Sequence, residues 1–215
     1  YGRADAHYNL AQLDLAEGRL ATAQAHADSS VALYARTGNP QLQAGALNLQ
    51  GQLAAARGEL PRATESFTAC VALSDSIGFL DGKLVAQKNL GSLHQQRGDY
   101  EAAIRTFREV LREVERAGDR QLEGQARYSL ATAYLPVGRT ADAERELAAA
   151  DRLAAGQPGQ QARLALLRAD LGLRAGDTVA ANEQATRARN LYRAAGEVAG
   201  EVTATANLGL MALHA

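Results

Sequence analysis

The chain has 215 residues, a net charge of −1 and a pI near 6.5. That balance implies no strongly basic face, so direct nucleic-acid binding is not expected, and no apolar run approaches the roughly 18 residues of a membrane span. One cysteine, Cys70, excludes an internal disulfide and agrees with a reducing, cytoplasmic setting.

Glycines punctuate the sequence at a nearly constant interval. Gly18, Gly58, Gly98, Gly138 and Gly176 are spaced 40, 40, 40 and 38 residues apart, and Gly38, Gly78, Gly118, Gly156 and Gly196 are spaced 40, 40, 38 and 40. Such a period means one structural unit copied and stacked. The repeats run approximately over 1–38, 39–78, 79–118, 119–156 and 157–196, with a truncated sixth at 197–215. Together they predict a single array over 1–215.

The apolar periodicity within each repeat predicts two helices. In chain order the eleven helices are 3–16, 20–36, 41–56, 60–76, 81–96, 100–116, 121–136, 140–154, 160–174, 178–194 and 198–214. Asn39-Pro40 reads as a helix start, with Asn as cap and Pro at the first helical position, and Pro61 lies in another first turn. In the third repeat Leu84, Leu90, Gly91 and Leu93 share one helix side. Gly98 is read as a left-handed cap where a side chain would clash, and Asp99 as the next N-cap. Ala103, Ile104, Phe107, Val110, Leu111 and Val114 form the second apolar face.

Gly91 and Ala103 would let the paired backbones approach closely. Their counterparts are Ala11 and Ala23, Gly51 and Ala63, Ala131 and Ala143, Ala169 and Ala181, with Gly209 in the sixth repeat. Pro136 should end or kink its helix early. The fourth repeat, two residues short, is expected to be the least regular. Residues 203–215 form a first helix whose partner would begin near a notional position 216, leaving Leu208, Leu210, Met211 and Leu213 partly bare. With Tyr1 at the start and no signal-peptide pattern, the sequence reads as a segment of a longer protein.

These units resemble the tetratricopeptide repeat. In the third repeat the matching residues are Asn89-Leu90-Gly91, Gly98-Asp99-Tyr100, Ala103, Phe107 and Val110-Leu111. Elsewhere the match is partial, as at Leu20 and Ala27, Leu60 and Phe67, Leu130 and Tyr134. The period near 40 resembles the long-helix variant of bacterial regulatory proteins and kinesin light chains. The resemblance implies an all-α fold, a right-handed α-solenoid of antiparallel helix pairs, in which first helices line a concave peptide-binding face.

Counting back from each turn glycine carries the family's groove positions onto this chain. They are Tyr8, Asn9 and Gln12 in the first repeat and Asn48 and Gln52 in the second. The third contributes Val85, Lys88, Asn89, Ser92, Gln95 and Gln96, the fourth Gln125, Tyr128, Ser129, Thr132 and Leu135. The fifth offers Arg163, Leu166, Asp170 and Arg174, the sixth Asn207. Amides both donate and accept, which suits an extended peptide backbone. The carboxylate clamp of chaperone-binding relatives is not matched, because Ser92 and Ser129 stand where asparagines belong and Leu167 where a cation belongs.

Catalysis and cofactors are not expected. His7, His26, His94 and His214 show no metal-ligand spacing, Cys70 reads as a buried inert thiol, and Glu144 and Glu146 read as solvated. The Gly196–Gly200 loop lacks the context of a phosphate cradle. The expected function is a non-catalytic protein- or peptide-binding scaffold, the sensor or docking segment of a larger bacterial regulatory protein. The alternatives are self-association, with a homodimer through the last helix, or sensing of a small signalling ligand.

Overall fold

The computed structural model describes residues 2–213. Among these there are eleven α-helices and no strand: α1 Gly2–Ala16, α2 Leu20–Thr37, α3 Pro40–Ala56, α4 Leu60–Ser76, α5 Leu80–Gln96, α6 Tyr100–Ala117, α7 Arg120–Tyr134, α8 Thr140–Leu153, α9 Pro158–Arg174, α10 Thr178–Ala195 and α11 Val198–Leu213. The chain divides into two compact units, Tyr1–Thr106 and Phe107–Ala215, with the boundary inside α6. In the first unit α1 packs on α2 and α3 on α4, and α3 also touches α1 and α5. In the second, α7 packs on α8, and α10 lies against both α9 and α11. The fold is an all-α helical repeat.

The turns follow from backbone conformation. All ten ladder glycines have φ between +66° and +77°. After each left-handed residue the chain can return a hydrogen bond to the helix it leaves, as from Asp99 N–H to the His94 carbonyl at 2.8 Å and from Asp177 N–H to the Gly172 carbonyl at 2.8 Å. A Cβ on Gly98 would meet nothing within 4 Å. Space is therefore not the constraint, and glycine is required by the left-handed φ of +77°. Asn39, Asp119 and Asp177 cap α3, α7 and α10 with their carboxyl or amide oxygens. α7 stops at Tyr134, two residues short of the predicted end, just before the Leu135-Pro136 pair. The shortened fourth repeat takes its deficit in α8, which has 14 residues where α2, α4, α6 and α10 have 17 or 18.

The core of each unit is built on small residues. Ala11, Ala23, Ala63, Ala131, Ala143, Ala169 and Ala181 are all buried. Their neighbours are matched in size. A Cβ on Gly51 would stand 2.6 Å from the Phe67 ring, so the phenyl group of α4 occupies the space that glycine leaves on α3. At the equivalent place in the first and fifth repeats, Ala27 shares a cluster with Ala11, and Ala185 with Ala169. On α11, of the residues expected to lie partly bare, Met211 departs from the expectation. Met211 is buried against Ala169, Ala181 and Ala185, and Leu208 is half-buried against them, whereas Leu210 is 58% exposed. Leu213 and His214 lie outside the side chains described.

Ionic groups brace the helices. Asp28 of α2 accepts from Gln24 at 2.9 Å, from Gln50 of α3 at 2.7 Å and from Arg62 of α4 at 2.6 Å. Glu146 and Glu144 are not simply solvated. Glu146 pairs with Arg127 at 2.8 Å, and Arg127 also holds Glu115 and Glu123, while Glu144 pairs with Arg168 at 3.1 Å. These pairs tie α7 to α8 and α9 to α8.

Two predictions follow from this packing. Gly51→Ala should destabilise the protein by about 1–3 kcal/mol through overpacking. Adding Phe67→Leu should recover part of the loss, so urea denaturation of the two single variants and the double should show positive coupling. The second concerns acid. Burial raises the Asp28 carboxyl pKa, but its three donors outweigh burial and hold it below the usual carboxylate value. A folded value below the unfolded one stabilises the protein above about pH 4, and that contribution is lost as pH falls through the folded value. Urea midpoints measured from pH 7 to pH 3 should fall less steeply in Asp28→Asn than in the wild type.

Candidate functional site

A first helix gives one side to its partner and presents other residues of the same helix to solvent. In the first unit Asn9, Gln12, Gln52, Ser92 and Gln96 are exposed, and Asn48, Lys88, Asn89 and Gln95 are half-buried. Asn89 Nδ2 donates to Asn48 Oδ1 at 2.8 Å, joining α5 to α3. That bond uses one group from each amide. The Asn48 amide nitrogen and the Asn89 amide oxygen remain to donate and to accept. Tyr8 is half-buried and packs against the clusters around Ala11 and Tyr34. Ser92 donates to the Lys88 carbonyl of its own helix at 3.2 Å.

Asn48 also lines a cavity of about 170 Å³ with Ala44, Gly45, Val85 and the buried thiol of Cys70. Cys70 Sγ donates to the Ala44 carbonyl at 3.1 Å, and burial pushes the thiol pKa up. Its thiolate fraction at neutral pH is therefore low, which does not suit a nucleophile.

In the second unit Gln125, Tyr128, Thr132, Asp170 and Asn207 are half-buried and Arg163 is exposed. Burial raises the Tyr128 hydroxyl pKa, and the nearby Arg163 guanidinium opposes that shift. Tyr192 of α10 lies within the field of both groups and is likewise raised by burial. It was not among the expected site residues because it belongs to a second helix; its counterpart Tyr34, also buried, donates to Asp5 at 2.5 Å. Thr132 donates to the Ser129 carbonyl at 2.7 Å, and Asp170 pairs with Arg174 at 3.0 Å. Asp170 and Asn207 are brought together on one cavity of about 300 Å³, floored by Leu166, Ala169, Leu173 and Met211.

One pairing was invisible in the sequence spacing. His7 and His26 meet across α1 and α2 with their Nδ1 atoms 2.9 Å apart. Among the described residues no group of three or more His, Cys, Asp or Glu side chains could hold a metal ion, and no helix is long and apolar enough to cross a membrane.

Residues 83–154 match the family model described as tetratricopeptide repeat. Over that stretch the chain carries tetratricopeptide repeats. Solved structures with this repeat architecture overlay on most of it. BtubC (BKLC) from P. vanneervenii is 23% identical, with a TM-score of 0.73, covering 87% of this chain and 78% of that one. A putative kinesin light chain with nearly identical TPR-like repeats, from Podosopora anserina, is 18% identical with a TM-score of 0.70, covering 88% and 94%. A Rap protein complexed with Competence and Sporulation Factor is 12% identical with a TM-score of 0.71, covering 99% and 64%. At these identities the likeness is one of fold. No curated protein matches by sequence.

The buried thiol gives a prediction for this region. Cys70 in the native repeats should react with a disulfide reagent at pH 7 at least tenfold more slowly than in urea, as followed by release of the chromophore. Equal rates would place the thiol at the surface.

Proposed function

We propose that this chain is a non-catalytic scaffold that binds an extended segment of another protein along its first helices. The observation that carries the reading is the Asn48–Asn89 amide pair, flanked by Gln52, Lys88, Ser92, Gln95 and Gln96. A peptide main chain presents alternating donors and acceptors, and a row of side-chain amides can meet both. In the second unit Gln125, Tyr128, Thr132, Arg163, Asp170 and Asn207 supply a similar set with an apolar floor. The Rap protein of the same fold, solved with Competence and Sporulation Factor, supports binding by such arrays. The natural setting of this reading is the cytoplasmic docking or sensor segment of a larger bacterial regulatory protein.

A second reading is self-association through α11, favoured by the exposure of Val198, Val202 and Leu210 on that helix. A molar mass in light scattering that does not change with concentration would count against it.

The test of the main reading is selection of binders from a displayed random-peptide library, followed by fluorescence anisotropy. Lys88→Glu with Asn89→Asp should weaken the selected peptides at least tenfold, about 1.4 kcal/mol, with an unchanged helical circular-dichroism spectrum. Affinities equal to the wild type would remove the first helices of the first unit from the binding site.

A further inference from the structure

The first helix pair contains a histidine couple that the peptide-binding reading does not use. His7 of α1 and His26 of α2 are both half-buried, so solvent reaches them. Their Nδ1 atoms lie 2.9 Å apart, the ring centroids are 5.1 Å apart and the ring planes are inclined at 43°. Two nitrogens this close cannot both carry a proton along the line between them. One must present its lone pair to the other, and the second ring needs only a change of tautomer to free its own.

A separation of 2.9 Å is that of one N–H···N hydrogen bond, and it leaves both nitrogens within reach of a single ion, whose bonds of about 2.0–2.1 Å set them about 2.9 Å apart at right angles and about 3.3–3.4 Å apart in a tetrahedron. Imidazole nitrogens take divalent ions in an order that puts copper(II) above nickel(II) and zinc. Each imidazole must swing about its broad χ2 torsion to aim at a common point beside the line joining the nitrogens.

The Asp14 carboxylate interacts electrostatically with His26. Asp14 is held by Arg19 through Nε at 3.0 Å and Nη2 at 2.6 Å, so it is engaged elsewhere. Water would complete the coordination sphere.

We propose that His7 and His26 form a two-imidazole site for a divalent transition ion, with copper(II) preferred over nickel(II) and zinc. The ion would clamp α1 to α2 at their exposed flank. Because only two protein ligands are present, the site is exchangeable, in contrast to the closed sets that hold structural zinc.

The test uses the whole chain, titrated with Cu²⁺, Ni²⁺ and Zn²⁺ by calorimetry, with electron paramagnetic resonance on the copper form. The expected result is one Cu²⁺ per chain, bound more tightly than the other two ions, with a spectrum of two equatorial imidazole nitrogens. His7→Gln and His26→Gln, each checked for unchanged helical content, should each lower copper affinity at least tenfold and remove one nitrogen from the spectrum. His94→Gln should change neither. Copper binding of wild-type strength in both His7→Gln and His26→Gln would overturn the proposal, as would zinc binding tighter than copper or no saturable copper binding by the wild type.

Discussion

The close approach of two helix backbones within each repeat is the constraint on which the rest of this structure depends. Alanine or glycine at matched places on both helices permits it. The partner side chain then sets how much room remains. Phe67 needs Gly51, because a single methyl group at that position would enter its ring. Where α2 and α10 carry Ala27 and Ala185, alanine suffices on the facing helix. Interiors packed to crystal-like density leave no slack for a mismatch, so size is conserved across the pair rather than at either residue. The left-handed glycines serve the same end. A turn of two to five residues keeps the helices antiparallel and adjacent, and a positive φ lets the chain reverse so soon.

Burying one side of each first helix decides what remains for recognition. The apolar side is occupied by the second helix, and the residues left over are mostly amides, hydroxyls and charges, with Leu10, Leu13, Leu42 and Leu173 exposed among them. Some of them serve the fold. Asn89 and Asn48 join neighbouring first helices, and Arg127 gathers Glu115, Glu123 and Glu146. A network that already orders its amides presents them to a ligand at a reduced entropic cost, which favours binding to a preformed surface. The two units differ in this respect. The first presents mainly amides, while the second adds Tyr128, Arg163 and an apolar cavity beneath Asp170 and Asn207.

Most helices and turns were legible because the relevant signals are local. A glycine ladder, Asn39-Pro40 and the three- and four-residue spacing of apolar side chains report φ, caps and helix phase over a few residues. Contacts between elements were not legible in that way. Asn48 and Asn89 are 41 residues apart, Asp28 and Arg62 are 34 apart, and His7 and His26 are 19 apart. The repeat period brings the right helices together, but rotamers and the rise of each helix decide which tips touch. The same limit explains Glu146, whose polar position suggested solvent and whose actual partner is an arginine on the preceding helix. It also explains Gly172, where an added Cβ would stand 3.1 Å from the Ala181 backbone nitrogen although the sequence pattern had assigned the close approach to Ala169. Met211 was expected to lie partly bare and is buried, because the alanines of α9 and α10 leave a recess that its flexible side chain fills.

The central claim is that packing consumes one side of the first helices and leaves their polar residues for a partner. It is tested most directly by amide nuclear magnetic resonance of the labelled chain during titration with a library-selected peptide. The account predicts shifts concentrated on first helices, with the side-chain amides of Asn48 and Asn89 among the largest. Shifts confined to the second helices α2, α4, α8 and α10 would contradict it.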